Sequence, residues 1–167
     1  MGGICDLQKN SQNQEHVNAC LRFQGGNYGN ISLMTDVELY QLAEKTAAGA
    51  YAPYSGYKVG AAILTEDGSV YTGINIENSS FSATICAERC AAAKAISDGK
   101  KIFKAIAISA PESDAPSWPC GICRQFLYEF GSKTRVISGK NAESIEVYSL
   151  SELFPHGFRL FKIREKL

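Results

Sequence analysis

Apolar and polar residues recur along the chain with two different spacings, and each change of spacing marks a new element. Helical spacing comes first, in "TDVELYQLAEKTAAGAYAP", where apolar residues return every three or four positions. Thr35, followed three residues later by Glu38, forms a capping-box signature at the start of this segment. The pattern therefore predicts a helix that begins at Thr35 and that Pro53 ends.

Strand patterns follow this helix. The segment "YKVGAAILTEDGSVYTGINI" contains two runs rich in β-branched and aromatic residues, one on either side of Glu66-Asp67-Gly68. An Asp-Gly pair suits a tight turn between two strands. The segment is therefore predicted to be a β-hairpin.

The rest of the chain alternates helices with short apolar runs. "TICAERCAAAKAISDG" reads as a helix that Gly99 closes, and "CGICRQFLYEFG" as a second helix stopped by Gly131. The predicted strands are "IFKAIAIS", "TRVIS" and "IEVYS", and "SELFP" is predicted to be a final helical turn. This order predicts an α/β layered domain with a mixed sheet.

Residues 1–34 differ from the rest in composition. They are rich in Gln, Asn and Gly, as in "FQGGNYGN", and show no sustained periodicity. We therefore expect a flexible or loosely docked N-terminal extension over residues 1–34, followed by one domain over residues 35–167.

The charges of the chain balance, with 17 Lys and Arg residues against 17 Asp and Glu residues. A protein that follows a phosphate backbone normally has a basic surplus, so nucleic acid is not expected as a partner. No apolar run approaches the roughly 20 residues of a membrane-spanning helix. The N-terminal stretch "MGGICDLQKNSQNQEH" lacks the basic and apolar regions of a secretory signal. These features predict a cytoplasmic protein without a membrane partner.

The cysteines suggest a metal site. A cytosolic chain of this size does not need disulfides, so clustered thiols indicate metal binding or catalysis. Cys120 and Cys123 have the two-residue gap of a metal knuckle, and Cys86 can supply a third thiolate. Cys86 and Cys120 both precede predicted helices, where backbone N–H groups and the helix dipole favour thiolate over thiol. Cys5 and Cys20 lie in the polar N-terminal stretch and are expected to be incidental.

Three protein ligands would leave the fourth tetrahedral position open for water, which is typical of a catalytic zinc. Glu88 follows Cys86 by two residues and can lie beside that water without binding the metal. A Cys-x-Glu stretch followed by Pro-Cys-x-x-Cys is the signature of zinc deaminases. In this chain it comprises Cys86-Ala87-Glu88 and Pro119-Cys120-Gly121-Ile122-Cys123.

Longer stretches extend this match. Residues 36–160 closely resemble the small homotetrameric cytidine deaminases, through "APYSGYKVGAAILTEDG", "GINIENSSFSATICAERCAA", "PCGICRQFLYEFG" and "SELFPHGF". The resemblance implies a three-layer α/β/α sandwich with a mixed five-stranded sheet, and one Zn²⁺ per subunit. It also implies a hydrolase of pyrimidine salvage that converts cytidine and 2′-deoxycytidine to uridine and 2′-deoxyuridine plus ammonia. Active sites would be shared between subunits of a homotetramer.

The resemblance also implies roles near the metal. Zn²⁺ with three thiolates has a net charge of −1, which makes its water a weaker acid than three neutral imidazoles would. The family's matching arginine hydrogen-bonds ligand sulfurs, so Arg89 is expected to offset that charge. Glu88 would take the water's proton, the hydroxide would attack C4 of the pyrimidine, and Glu88 would return protons to N3 and to the leaving amine.

Substrate contacts are carried over in the same way. The Asn and Glu of the family's "NxEN" stretch bind the ribose, and here they are Asn75 and Glu77, the latter expected as a buried carboxylate. Tyr57 takes the place of the aromatic residue that packs on the pyrimidine, and Phe158 matches the phenylalanine that enters a neighbouring subunit's site. Tyr57 replaces the usual Phe and brings a hydroxyl that needs a partner, and Phe154 replaces the usual Leu.

Several alternatives stay open at this point. Cys90, one helical turn after Cys86, could complete a closed structural zinc site with four thiolates, although a small buried apolar role is the commoner fate of a free thiol. Asn75 and Glu77 could merely close a turn, and Tyr57 and Phe158 could pack in the core. His16 and His156 have no partner at metal spacing.

Two other functions also remain possible. One is deamination of a cytosine-bearing antibiotic, as in blasticidin deaminases, which share the zinc motifs but lack the "NxEN" stretch. The other is a nucleic-acid editing or binding module with a structural zinc. The neutral charge and the absence of a basic, aromatic-studded segment argue against the second.

Overall fold

A computed structural model describes residues 34–160 as a five-stranded sheet with helices on both faces. The strands are β1 (Gly60–Thr65), β2 (Val70–Ile74), β3 (Phe103–Ser109), β4 (Arg135–Gly139) and β5 (Ile145–Ser149). The helices are α1 (Asp36–Ala47), α2 (Ala87–Ser97), α3 (Gly121–Tyr128) and α4 (Leu150–Leu153), with a 3₁₀ turn at Phe81–Ala83. The predicted N-terminal extension lies outside the described residues apart from Met34, and so do Cys5, His16 and Cys20.

The sheet is mixed, with the strand order β2-β1-β3-β4-β5. β3 and β4 run parallel, and the other neighbouring pairs run antiparallel. The predicted hairpin is confirmed as the β1–β2 pair, with Gly68 at φ +88° in its turn. A left-handed φ of this kind favours glycine, which explains why the Asp-Gly pair marks the turn.

Side chains of the central strands alternate between two cores. Ala61 and Ile63 of β1 lie in one core with the alanines of α2, together with Leu127 of α3 and Leu150 of α4. Ala62 and Leu64 lie in the other core with α1. Because successive strand residues point to opposite faces, one sheet separates two helical layers. The predicted three-layer α/β/α sandwich with a mixed five-stranded sheet is confirmed.

Glycine at position 73 lets α2 lie directly on the sheet. A Cβ atom there would overlap the backbone of Ala87 and Ala91. This close approach holds the first turns of α2 against β2, and the start of α2 therefore has a fixed position relative to the sheet.

The first predicted helix begins at the predicted residue but ends earlier than predicted. The capping box is present, since Glu38 N donates to Thr35 Oγ1 at 3.2 Å and Thr35 N donates to Glu38 Oε2 at 2.8 Å. The helix ends at Ala47 instead of continuing to Pro53. The chain leaves it because Tyr51 pairs with the segment after β2, with Tyr51 N donating to Asn75 O at 3.0 Å and Glu77 N donating to Tyr51 O at 2.8 Å.

The second cysteine-bearing helix also ends early, at Tyr128, three residues before Gly131.

Between residues 34 and 160, no helix is long and apolar enough to cross a membrane.

Candidate active site

Three cysteine sulfurs meet where α2 and α3 begin. Cys86 is the N-cap residue of α2, Cys120 is the N-cap residue of α3, and Cys123 lies in the first turn of α3. Their Sγ atoms all lie within 4.8 Å of one another. Zinc–sulfur bonds are about 2.3 Å long, so sulfurs this close together fit a single ion. The structure thus brings the three predicted metal ligands together.

The surroundings of Cys86 favour negative charge on its sulfur. The pKa of Cys86 is lowered to about 5, first by a hydrogen bond from the Cys123 thiol and then, against the opposing effect of burial, by Arg89. The pKa of Cys123 is raised, because its proton is held by that hydrogen bond and because the thiol is buried. The two helix N-termini act in the same direction as Arg89. A cation could therefore replace the shared proton at this cluster.

Arg89 lies beside Cys86, as predicted. Its Nη2 atom donates to Cys86 Sγ at 3.8 Å and to Thr84 O at 3.1 Å. Its Nε atom is buried without a hydrogen-bond partner within residues 34–160. Three thiolates with a divalent ion have one surplus negative charge, and the guanidinium lies next to it. The donor set and its charge balance therefore fit zinc.

Glu88 is buried in the first turn of α2, with 5% of its surface exposed. Its pKa is raised, mainly because burial disfavours the charged carboxylate and further because of the nearby charge of Cys86. A buried carboxyl group with a raised pKa is suited to accept a proton and to return it.

Cys90 does not belong to the sulfur cluster. Within the described part of the chain, the candidate metal group consists of Cys86, Cys120 and Cys123. Cys90 is half-buried, and burial raises the pKa of its thiol. The structure therefore does not support a closed site with four thiolates. Cys90 is also less buried than a core residue. His156 is exposed and lies outside the cluster as well.

Asn75 and Glu77 tie the end of β2 to the loop before β1. Asn75 Oδ1 accepts from Val59 N at 2.8 Å, and its Nδ2 donates to Tyr57 O at 2.8 Å.

Glu77 accepts from Tyr54 N at 2.8 Å and from Ser55 N at 3.1 Å, and it also accepts from the Ser55 hydroxyl. Both residues thus close a turn, as one alternative held. An amide and a carboxylate still retain donors and lone pairs for a ligand.

The expected burial of Glu77 is wrong. Its side chain is half-exposed in the single chain. Its pKa is lowered by the hydrogen bonds from Ser55 and Tyr54, which favour the charged form. Glu77 is thus half-buried, and its backbone partners belong to the exposed loop at residues 54–55.

Tyr57 is 44% exposed, so the core-packing alternative does not hold for it. Its hydroxyl group lies 2.7 Å from Ser117 Oγ. Ser117 belongs to the loop that leads into Cys120, and sequence reasoning did not identify it. The extra hydroxyl on Tyr57 was a signal that a partner exists, but sixty positions separate the two residues.

Phe158 is 67% exposed and also lies outside the core. Its backbone hydrogen-bonds to the side chain of Gln125 in α3. Gln125 was missed at the sequence level, since a polar residue in a helix has no distinguishing pattern. Phe154, the other departure from the family pattern, packs edge-on against Tyr128 with ring centroids 5.9 Å apart.

This chain is similar to several known cytidine deaminases. The family model described as "Cytidine and deoxycytidylate deaminase zinc-binding region" matches residues 34–139. A cytidine deaminase of Sporosarcina psychrophila is 46% identical over 125 residues, which cover 74% of this chain and 91% of that protein. A cytidine deaminase of Halalkalibacterium halodurans is 45% identical over 121 residues, which cover 72% of this chain and 91% of that protein. The solved structure of a cytidine deaminase from Burkholderia pseudomallei matches with a TM-score of 0.71 and 40% identity, over 75% of this chain and 100% of that chain.

Proposed function

Because this chain belongs to the cytidine and deoxycytidylate deaminase family, we propose that its sulfur cluster and Glu88 together deaminate cytidine. The enzyme is a zinc-dependent hydrolase that replaces the 4-amino group of cytidine with oxygen, which yields uridine and ammonia. The observation that carries the residue assignment is the meeting of three sulfurs within 4.8 Å beside a buried carboxyl group.

Cys86, Cys120 and Cys123 hold one zinc ion in this proposal, and Arg89 balances the charge of the sulfurs. A zinc ion held by these three sulfurs would supply Lewis-acid chemistry that makes a water molecule easier to deprotonate. The hydrogen bond from Cys123, the Arg89 guanidinium and the N-terminus of α2 favour the thiolate form of Cys86, so a cation competes with few protons at this sulfur.

Glu88 moves the protons. It accepts one proton from the attacking water as the oxygen bonds to C4, and it delivers that proton to N3. It then transfers the second proton of the same oxygen to the 4-amino group, which leaves as ammonia while C4 becomes a carbonyl. The low exposure of Glu88 favours this role, because burial keeps bulk water from competing for the proton.

The substrate lies between two loops in this proposal. Asn75 and Glu77 use their remaining donors and lone pairs to bind the ribose hydroxyls, and Tyr57 packs on the pyrimidine. The hydrogen bonds that Asn75 and Glu77 make to residues 54–59 support this assignment, since they hold the carboxylate and the Tyr57 backbone in one rigid unit. We extend the substrate range to 2′-deoxycytidine, because Asn75 and Glu77 can bind the sugar through its 3′ hydroxyl without a 2′ hydroxyl.

We also propose a homotetramer in which Phe158 enters a neighbouring subunit's site. The exposure of this large apolar side chain supports a partner that covers it. Clustered free thiols in the described residues suit a reducing, cytoplasmic location. Residues 1–34 remain a proposed extension to the deaminase domain.

Metal content and substrate range test this function in one experiment. Purified protein is assayed for zinc by mass spectrometry and for the loss of cytidine absorbance, alongside ammonia release from 2′-deoxycytidine, blasticidin S and a cytosine-containing oligonucleotide. We expect one zinc per chain and turnover of the two nucleosides only. Turnover of blasticidin S without turnover of cytidine would show that the antibiotic, and not cytidine, is the substrate. Turnover of the oligonucleotide would overturn the assignment of a free nucleoside as substrate.

A further inference from the structure

The C-terminal arm, residues 157–159, is attached to α3 through its backbone. Gln125 Nε2 donates to Phe158 O at 2.9 Å, and Phe158 N donates to Gln125 Oε1 at 3.0 Å. One side-chain amide thus satisfies both backbone groups of a single residue. Such a pair of bonds fixes the orientation of the backbone as well as its position.

The residues on either side of Phe158 are held by Tyr128. Gly157 lies against the Tyr128 ring so closely that an added Cβ atom would come within 2.7 Å of it. The Arg159 guanidinium lies 4.5 Å from the ring centroid, and its Nη2 atom donates to Tyr128 O at 2.5 Å. Three consecutive residues are therefore fixed to one turn of α3.

Only the Phe158 side chain is left outside this attachment. It is 67% exposed, although leaving a phenylalanine in water costs free energy that a flexible arm would avoid by folding it inward. An exposed aromatic side chain on a fixed backbone is suited to enter a pocket on another molecule. The backbone is already ordered, so binding does not have to pay the entropy of ordering it. The arm has the geometry of such an anchor.

Helix α3 links this anchor to the metal site. It begins at Cys120, it contains Cys123, and Gln125 follows only two residues later. The helix that contributes two of the proposed metal ligands thereby also contributes the residues that position the same copy's Phe158.

We infer that Gln125 is a positioning residue that presents Phe158 to the substrate pocket of a second copy of this chain. This inference rests on the proposed function, in which Phe158 completes a neighbour's site. If Phe158 packs on the substrate equally in the ground state and the transition state, loss of its position raises KM and leaves kcat unchanged.

Four variants test the role of Gln125: Gln125→Ala, Gln125→Glu, Phe158→Ala and Gln41→Ala. Gln41 is an exposed glutamine of α1 on the other face of the sheet and serves as the matched control. We expect Q125A to raise KM for cytidine about 5- to 30-fold, as loss of its paired hydrogen bonds implies. Zinc content and sedimentation should match the wild type, and kcat should stay within about twofold. Q125E, which keeps the acceptor and loses the donor, should fall between Q125A and wild type.

Subunit mixing separates a role across subunits from a role within one chain. Co-expression of Q125A with Glu88→Gln produces mixed assemblies in which intact arms come from chains that lack the catalytic carboxylate. Sites that combine Glu88 of a Q125A chain with the arm of an E88Q chain should recover the wild-type KM. A purely local effect of Gln125 on Cys123 would not be rescued in this way.

The possible failures are distinguishable. If F158A raises KM but Q125A and Q125E do not, the inference is wrong and the proposed function stands. If F158A leaves KM unchanged, the role of Phe158 at a shared site is wrong, and the inference fails with it. Loss of zinc or of kcat in Q125E would also overturn the inference. Glutamate has nearly the same shape as glutamine, so the KM of Q125E tests the role of Gln125 even if Q125A does not fold.

Discussion

The two ends of the proposed site are built differently. At the metal end, Cys123 and Glu88 are buried while Cys120 is exposed, and every proposed residue lies at the start of α2 or α3. At the recognition end, Tyr57 and Phe158 are exposed, and the residues lie on loops or on the C-terminal arm. One chain supplies every residue proposed for the metal end, whereas the side chains of Tyr57 and Phe158 at the recognition end are left uncovered.

The difference follows from what each end has to do. Proton transfer and metal binding need groups held in fixed positions, and helix starts packed on a sheet provide them. Recognition of a small nucleoside needs surfaces that close around it, and loops or a second chain can supply these. We therefore expect changes at the metal end to affect kcat and changes at the recognition end to affect KM.

Replacement of the buried carboxyl group should have the largest effect. Glu88→Gln keeps the shape of the side chain and removes its ability to accept a proton. We expect zinc content to be retained and kcat to fall by at least about 10²–10⁴-fold, the range of general acid–base catalysis. Glu66→Gln, in the exposed hairpin turn, is the control and should have no effect. Near-normal turnover of E88Q would remove Glu88 from the mechanism.

Changes at the ribose contacts should affect KM. Glu77→Gln weakens charge-assisted hydrogen bonds, and we expect KM for cytidine to rise roughly 10- to 100-fold. Ser55→Ala separates recognition from turn closure, because it removes a Glu77 partner without touching the proposed ribose site. An equal rise of KM in S55A would support the turn-closing role alone. Steady-state kinetics with cytidine measure both.

The contact between Tyr57 and Ser117 should have a smaller effect. Removal of the hydroxyl in Tyr57→Phe breaks one neutral hydrogen bond, so we expect KM to rise about 2- to 5-fold. Ser117→Ala should have the same effect, and the double variant should be no worse than either single one. Additive effects in this double-mutant cycle would show that the two hydroxyl groups act separately.

The smallest effect is expected at the remaining thiol near the metal. Cys90→Ala should leave zinc per chain and turnover unchanged, because the sulfur cluster does not include Cys90. Loss of zinc in this variant would restore the closed four-thiolate alternative and would contradict the open catalytic site.

Local features of the chain were predictable because neighbouring residues decide them. The capping box at Thr35, the left-handed turn at Gly68 and the placement of Cys86 and Cys120 before helices all depend on a few adjacent positions. The nearly continuous apolar run of β3 likewise indicated a strand that is buried on both faces of the sheet.

Contacts between distant positions were decided only by the tertiary structure. Pairing of Tyr51 with the segment after β2 ends α1 early, and Glu77 hydrogen-bonds to backbone N–H groups more than twenty positions before it. The partners of Tyr57 and Phe158 are separated from them by 60 and 33 positions. No local pattern encodes such pairs, because they form only once the sheet and α3 have brought the two segments together.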